Sequence, residues 1–389
     1  MSLNGPKQIG DYNKNKILSI LRERGPTSRV ELSRILGISQ TAVTRNIFQL
    51  LQKGIVRECE AEKSEMGRRP VPIELCNDFC YTLGADIVGG TLKAALADLM
   101  GDIVKYYEEP LQISRGAHAV LDQLISLLKK IISGSGIPRE KITIAAIGTP
   151  GIFDPDTGKS QFTFFLKDWE DIDIRSKIYE ALSIETLIEN DVNLDVMGER
   201  WKGEGKDYEN ILYIKLGQGL AARVVLDNKL IRGKHKMAGE IGYMMPGLPG
   251  EKAVNYENML CNDAVIKMYR DMAGVNKADT ISELCAFADN GDDTARTVIQ
   301  HLLDQFSLVL LNSATVVDTQ VIILGGDACS FGEKEISLLK QRLEQYLPLK
   351  QNIVTSKLNK NACLYGAIKV GIDRIDKHIT DFWLMEDRV

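Results

Sequence analysis

The sequence of 389 residues predicts an N-terminal winged helix-turn-helix joined to an α/β body of two lobes. Three short amphipathic segments and a hairpin pattern fill the first 75 residues, which carry thirteen Lys and Arg against eight Asp and Glu, a net charge of +5. The other 314 residues carry −10 and alternate between strand and helix patterns. One core seldom exceeds about 250 to 300 residues, so the length also favours several domains.

The first two helices are predicted from apolar spacing and from residues that begin or end helices. Residues 14–24 carry an apolar stripe at helical spacing, and Gly25-Pro26 ends that helix. A second helix begins at Thr27 or Ser28 and ends at Gly37, whose lack of a side chain suits a left-handed cap. A short turn then leads to a third helix, which completes a helix-turn-helix pattern.

The third helix, residues 40–53, is the predicted recognition helix. Its apolar residues form one inward stripe, and the N-terminal end of such a helix enters the DNA major groove. There Arg suits guanine edges, Gln suits adenine, and Thr suits a methyl group or a phosphate. The predicted DNA-contacting residues at this end are Ser39, Gln40, Thr41, Thr44 and Arg45.

A β-hairpin wing is predicted after Gly54, where two alternating segments flank a polar turn. Arg68 and Arg69 lie near its tip, and paired arginines on a loop suit a minor groove or phosphate contact. Either arginine taken alone is better explained as a solvated surface charge. The helix-turn-helix, the wing and the positive charge of the same segment together favour binding to double-stranded DNA.

The first lobe of the body is predicted from buried strands that end in tight or polar loops. One strand ends at Thr149-Pro150-Gly151 and another at Asn190-Asp191. Ligands of open α/β sheets lie beyond the carboxyl ends of strands, so these loops predict one shared cleft. The predicted strands are 81–87, 93–99, 103–111, 142–148 and 185–191, with an amphipathic helix over 119–133.

The second half of the body repeats this plan. Glycines follow two of its strands, at Gly217-Gln218-Gly219 and at Gly325-Gly326. Such glycines accommodate phosphates but also occur in ordinary tight turns, so each alone is weak evidence. The predicted strands are 210–216, 220–226, 229–233 and 320–326, with helices over 256–273 and 292–316.

Several classes of protein are disfavoured by composition. The seven cysteines include no C-x-x-C pair and the four histidines are dispersed, so we expect neither disulfides nor a zinc ribbon nor a His-based metal site. The N-terminal residues lack the apolar core of a secretory signal, and no apolar run is long enough to span a membrane. We therefore expect a soluble cytoplasmic protein without a cofactor.

The order of motifs resembles the ROK family, which groups sugar-responsive repressors with sugar kinases. The matching segments, in chain order, are "GRRP", "GTPG", "ENDVN", "LGQG", "AGEIG" and "ILGG". The resemblance covers nearly the whole chain and implies an actin-like, hexokinase-like fold of two ribonuclease-H-like lobes with a sugar between them. The implied domains are 1–78 for the winged head, 79–192 for the first lobe and 193–360 for the second, with a C-terminal helix, about 361–389, packed near the first lobe.

The family pattern also implies which residues contact the sugar. By resemblance these are Gly151, Asn190, Asp191, Glu240 and Glu257, and Asp191 also matches the general base of the kinases. The alternative for the two glutamates is an ordinary capping or surface role. The zinc site of the family is not expected here, because Tyr243 replaces its histidine and the loop from there to Glu257 contains no cysteine.

The two phosphate-binding loops of the family pattern are altered in this sequence. Val88 replaces the first glycine of one loop, and Ala221 and Arg223 stand at glycine positions of the other. Phosphates approach the backbone N–H groups of such loops closely, so added side chains obstruct them. We therefore expect no enzyme activity, and Asp191 is not expected to act catalytically.

Three functional hypotheses remain at this point. The first is a repressor that binds a palindromic operator as a homodimer or a dimer of dimers and responds to a sugar or sugar derivative. The second is an ATP-dependent sugar kinase with an added DNA-binding domain. The third is a DNA-binding protein whose pocket no longer binds a ligand. The sequence identifies neither the sugar nor whether it relieves or strengthens repression.

Overall fold

The computed structural model describes residues 6–59, 71–87, 90–154, 159–161, 166, 168–247, 254–274 and 277–379. These residues form a winged helical head and two α/β lobes, so the predicted fold class is confirmed. Within them, no helix combines the length and the apolar character needed to cross a bilayer.

The head contains three helices and a three-stranded sheet of order β1-β3-β2. Ser28 accepts a hydrogen bond from the Glu31 N–H, Ser39 accepts one from the Ala42 N–H, and Gly37 adopts a left-handed conformation with φ 65°, so the predicted caps are confirmed. The elements are α1 (Pro6–Arg24), β1 (Thr27–Ser28), α2 (Arg29–Leu36), α3 (Gln40–Gln52), β2 (Val56–Glu58) and β3 (Pro72–Leu75).

The first lobe has a five-stranded sheet of order β10-β7-β4-β5-β6. A two-stranded ribbon, β8 with β9, follows the loop at Gly151. The strands are β4 (Tyr81–Asp86), β5 (Thr91–Ala97), β6 (Ile103–Pro110), β7 (Ile142–Thr149), β8 (Ile152–Asp154), β9 (Lys159–Gln161) and β10 (Glu185–Asn190), and the helices are α4 (Ala117–Gly134) and α5 (Ile174–Leu182).

The second lobe has a five-stranded sheet of order β13-β12-β11-β14-β15, covered by helices. Its strands are β11 (Ile211–Leu216), β12 (Leu220–Leu226), β13 (Lys229–Ile231), β14 (Val321–Gly326) and β15 (Ile353–Thr355). Its helices are α7 (Tyr256–Leu260), α8 (Asn262–Ala273), α9 (Ile281–Asp289), α10 (Asp293–Val317) and α11 (Glu333–Glu344).

The two lobes share one topology. In each, the first three strands pair antiparallel in sequence, and the fourth and fifth run parallel on the other side of the first. This duplication is the ribonuclease-H-like pair expected from the resemblance. The short elements α5, α9, α11, β8, β9 and β15 were not predicted, because none has a long periodic pattern.

Two helices, α6 (Asp191–Lys202) and α12 (Ala362–His378), cross each other between the sheets. Val192 and Val196 of α6 pack with second-lobe strands, whereas Leu194 packs with Cys363 of α12. The predicted division between residues 192 and 193 therefore falls inside α6. A side chain at Gly198 would lie 2.2 Å from the Ala362 carbonyl oxygen, so the crossing requires glycine there.

The head is attached to the body by a buried ion pair. Arg22 of α1 donates to the Asp376 carboxylate at 3.0 and 2.9 Å, and its Nε donates to the Leu99 carbonyl oxygen at 2.7 Å. Ile375 and Ile379 join the apolar core of the head. We call the Arg22–Asp376 pair the head clamp; it connects the first helix of the chain to α12.

We predict that Asp376→Asn lowers the free energy of unfolding by about 3 to 5 kcal/mol, because the Arg22 charge is left in a buried site without its counter-ion. The control is Asp373→Asn, which removes a partly exposed pair with Lys369 on the same helix and should cost less than about 0.5 kcal/mol. Urea unfolding of both variants measures the difference. Equal losses would show that the head clamp contributes no more than an exposed pair.

Candidate functional site

The N-terminal end of α3 presents the polar surface that the sequence predicts. Gln40, Thr41, Thr44 and Arg45 are exposed, together with the cap residue Ser39, whereas Val43, Ile47 and Leu50 are fully buried beneath them. The four side chains share one face because they lie one or about one turn apart. This end of α3 therefore has the geometry of a recognition helix.

The wing is described only at its base. Strands β2 and β3 pair antiparallel from Val56 opposite Leu75 to Glu58 opposite Ile73. Arg68 and Arg69 lie outside the described residues, so their predicted DNA contact stays a prediction. The described base places the wing beside the helical part of the head, since β3 also pairs with β1 at the start of α2.

Four of the five residues that the resemblance assigned to a sugar are connected by hydrogen bonds in the cleft between the lobes, and the fifth, Glu257, lies near Glu240. Asn190 is the N-cap of α6 and accepts from the Asn193 N–H at 3.0 Å. Its side-chain amide donates to the Gly151 carbonyl oxygen at 2.8 Å and to Asp191 at 3.2 Å. The helix start thus fixes three of the five groups in one place, because capping sets the Asn190 side chain.

Glu240, in the second lobe, is connected to Asn190 by the guanidinium of Arg223, which donates to both side chains. One Oε of Glu240 lies 2.8 Å from Nη2 of Arg223, and the same Nη2 donates to Oδ1 of Asn190 at 2.9 Å. Nε of Arg223 donates to Oδ1 of Asn193 at 2.7 Å. The Arg223 side chain is 3% exposed, so a charged group from β12 is buried among the predicted sugar contacts.

Glu257, at the start of α7, holds the turn between β11 and β12. Its Oε2 accepts from the Leu220 N–H at 2.7 Å. Burial raises the pKa of Glu257, Glu240 raises it further, and the Leu220 hydrogen bond opposes both effects. A structural role for this carboxylate is therefore visible, and it lies near enough to Glu240 for the two charges to interact.

A buried lysine occupies the centre of an acidic cluster. Nζ of Lys215, on β11, lies 2.8 Å from Asp191 and 2.8 Å from Asp195. Burial would lower the pKa of Lys215, but Asp191, Asp195 and Asp86 together raise it well above its ordinary value. The lysine is therefore charged, and the carboxylate at the kinase-base position is committed to an ion pair.

Two acids of this cluster retain protons at unusually high pH. Burial raises the pKa of Asp86 to about 7, although Lys215 opposes this effect. Burial likewise raises the pKa of Asp195 to about 6, against the opposing charge of Lys215. One lysine cannot neutralise three buried carboxylates, so protons supply the remaining compensation.

The rim of the cleft carries two more bridges from second-lobe cations to first-lobe acids. Arg232 donates to Glu189 at 3.0 and 2.6 Å, and Lys236 lies 3.4 Å from Asp154. Burial would raise the pKa of Glu189, but its bonds from Arg232 and Asn193 lower it. Lys215, Arg232 and Lys236 are not predicted as site residues by any sequence motif, and Arg223 is recognised from the sequence only as a replacement for a glycine.

The second-lobe phosphate loop faces a carboxylate. Asp327, directly after Gly325-Gly326, accepts from Asn262 at 2.8 Å and from Ser282 at 2.7 Å, and lies close to Gly217. In the first-lobe loop, Val88 is outside the described residues. The described part of the chain also contains no group of three His, Cys, Asp or Glu side chains placed to bind a metal ion.

Comparison with known families matches two segments of the chain. A model described as "ROK family" matches residues 82–373, and one described as "Winged helix-turn-helix DNA-binding" matches residues 11–57. The chain belongs to the ROK family. The first match spans both lobes and the cleft between them, and the second covers most of α1, all of α2 and α3, and the start of β2.

Relatives similar over the full length include two xylose repressors. That of Caldicellulosiruptor bescii is 25% identical over 387 residues, covering 94% of this chain and 96% of that protein. That of Bacillus subtilis is 25% identical and covers 96% and 98%. A glucokinase of Halalkalibacterium halodurans is 26% identical but covers 68% of this ROK chain.

Among solved structures, a regulator matches nearly the whole of this chain, whereas a kinase matches only part of it. A ROK family transcriptional regulator described as a homolog of E. coli MLC protein has a TM-score of 0.80 at 21% identity, covering 96% of this chain and 98% of that one. A ROK family glucokinase from Streptomyces griseus has a TM-score of 0.65 at 21% identity and covers 75% of this chain. The regulator shares the fold of head and body together.

We predict that stability falls as pH rises toward 7, and that Asp86→Asn weakens this dependence. The folded pKa of about 7 exceeds the unfolded value of about 3.9. The contribution of Asp86 is therefore fully present below about pH 4 and lost as pH rises through about 7. Asp195 titrates in the same direction and preserves part of the slope.

The measurement is the free energy of unfolding from pH 5 to pH 8, with Asp102→Asn as control, since Asp102 has 74% of its side chain exposed. The control should follow the wild type. A wild-type slope in Asp86→Asn would contradict the assignment.

We predict that Arg45→Ala weakens binding to the selected operator and relaxes base preference at one position, by about 1 to 3 kcal/mol. A matched control is Arg296→Ala, which removes an arginine from the second-lobe surface. Fluorescence anisotropy on an operator selected from random duplex DNA gives both affinities. Equal weakening on operator and on unrelated duplex would exclude base reading by Arg45.

Proposed function

We propose that this ROK protein is a sugar-responsive transcriptional repressor. The observation that carries the proposal is an exposed recognition helix on a head that is clamped to a two-lobed body with a closed cleft. The full-length similarity to xylose repressors supports the same conclusion, because those relatives also possess the head. The proposed partner is a double-stranded operator.

The proposed ligand site is the cleft, with Gly151, Asn190, Asp191, Glu240 and Glu257 as sugar-binding groups. These residues come from both lobes, so a bound sugar would contact both. A ligand with different affinities for two lobe arrangements shifts the population between them. The head clamp and α12 would then transmit the shift to the DNA-binding surface.

The proposed assembly is a homodimer or a dimer of dimers on a palindromic operator. A single recognition helix reads one half-site, and two-fold symmetry in the protein matches two-fold symmetry in the DNA. Half-site spacing then depends on how the two bodies hold their heads. A sugar that changes the lobe arrangement would change that spacing.

A kinase function is the second candidate, because solved ROK structures include a glucokinase. It is disfavoured here by the ion pairs of Asp191 and by the altered loops. A general base must be free to accept the proton of a sugar hydroxyl, and the Asp191 carboxylate instead accepts from a charged lysine at 2.8 Å.

We expect at least one sugar to change operator affinity fivefold or more, the lower end of ordinary allosteric coupling. The operator titration is repeated with xylose, glucose, N-acetylglucosamine and a carbohydrate library. Asn190→Ala should bind the operator but lose the response, whereas Asn312→Ala, an exposed amide on α10, should keep both.

The same samples are incubated with ATP and analysed for sugar phosphate. Formation of a sugar phosphate would replace the repressor proposal by the kinase. Operator binding without a response to any sugar would instead favour a DNA-binding protein whose pocket has lost its ligand.

A further inference from the structure

Arg223 lies between the groups that the two lobes would offer to a sugar. Its Nη2 is 2.9 Å from Oδ1 of Asn190, at the end of a first-lobe strand, and 2.8 Å from Oε1 of Glu240, in the second lobe. Its Nε donates a hydrogen bond to Oδ1 of Asn193. Three acceptors that face the cleft are therefore already bonded within the protein.

Little space remains beside the guanidinium. The cavity at this point has a volume of ≈ 10 Å³, far below the roughly 300 to 1,000 Å³ of ordinary ligand pockets. Arg223, Asn190 and Asn193 line it on the inside, and Arg232 and Lys236 line its rim. A sugar cannot enter without moving some of these side chains.

We propose that Arg223 is an internal occupant of the sugar site and the residue that sets its ligand specificity. The inference rests on the proposed function, because it takes Asn190 and Glu240 as sugar-binding groups. Arg223 performs two roles of a ligand: it satisfies the polar groups of the cleft, and it connects the first lobe to the second. The cleft is consequently closed without a sugar.

Competition follows from this arrangement. A sugar hydroxyl that binds Asn190 and Glu240 replaces charge-assisted hydrogen bonds, which are stronger than bonds between neutral groups. The displaced guanidinium is buried and must keep an acceptor, because an unpaired buried charge is costly. Sugars whose hydroxyl oxygens do not lie within reach of the displaced guanidinium are therefore bound weakly or excluded.

The position of Arg223 in the strand explains why one substitution tests the proposal. The resemblance places glycine at this position, and β12 is bonded on both edges, by β11 and β13. Removal of the side chain therefore frees Asn190, Asn193 and Glu240 while the strand keeps its partners. Arg223→Ala serves as a second variant, because glycine weakens a strand.

The matched control is Arg232→Ala. Arg232 also forms a bridge between the lobes, to Glu189 at 2.6 Å, but its side chain is 44% exposed and does not lie between Asn190 and Glu240. The Arg232→Ala substitution therefore removes one arginine and its bridge to Glu189, but leaves Arg223 at the centre of the site. A general effect of lost charge or lost closure would be seen in both variants.

The experiment is calorimetric titration of wild type, Arg223→Gly, Arg223→Ala and Arg232→Ala with glucose, xylose and N-acetylglucosamine. We expect at least one sugar to bind the two Arg223 variants tenfold or more tightly than wild type. Arg232→Ala should gain clearly less, because it opens the rim but leaves the guanidinium between Asn190 and Glu240. Without sugar, backbone amides of 190–193 and 240–242 should exchange hydrogen faster in the Arg223 variants. The reason is that the side chains of Asn190, Asn193 and Glu240 no longer accept hydrogen bonds from the guanidinium, so these segments are held less firmly.

Two results would overturn the inference. Equal sugar affinity in wild type and the Arg223 variants would show that the guanidinium does not compete, while the proposed function stands if operator binding still responds to that sugar. No sugar binding in variants that keep their fold and operator affinity would show that emptying this position does not create a sugar site. If the wild type does not bind an operator at all, the proposed function itself has failed.

Discussion

The crossing of α6 and α12 is the contact on which the rest of the structure depends. The helices approach so closely that Gly198 and Gly366 face backbone carbonyls, with no room for a side chain. The N-terminus of α6 carries Asn190 and Asp191 into the cleft, and the far end of α12 carries Asp376 to the head. Because both helices pack as rigid bodies, the positions of cleft and head are set by one interface.

The cleft between the lobes is filled by side chains of the protein itself. Lys215, Arg223, Arg232 and Lys236 all come from the second lobe, and their acceptors lie mainly on α6 or the first lobe. Ionic bridges of this kind are strongest where water is excluded and weaker at the rim. The closed state is therefore held by a graded set of charges, buried at Lys215 and Arg223 and exposed at Arg232.

Much of the fold could be predicted from the sequence because its signals are local. Ser28, Ser39 and Gly37 mark helix ends by their own chemistry, and the long strands follow from unbroken apolar runs. The residues that the resemblance assigns to a sugar were found from sequence motifs, and their role as sugar contacts stays a prediction. Arg223 was recognised only as a replacement for glycine, because the direction of a side chain and its partners depend on the assembled sheet. The partners of Lys215, which lie at the end of β4 and on α6, were hidden for the same reason.

The head clamp joins residues that are 354 positions apart, so it can form only after most of the chain has been synthesised. At ribosomal rates of about 5 to 20 residues per second, Asp376 is added roughly 20 to 70 s after Arg22. During that interval the head of a growing chain is not yet held to the body by the Arg22–Asp376 ion pair. If paired heads read the operator, as proposed above, the head can be held at a defined half-site spacing only after synthesis has passed α12.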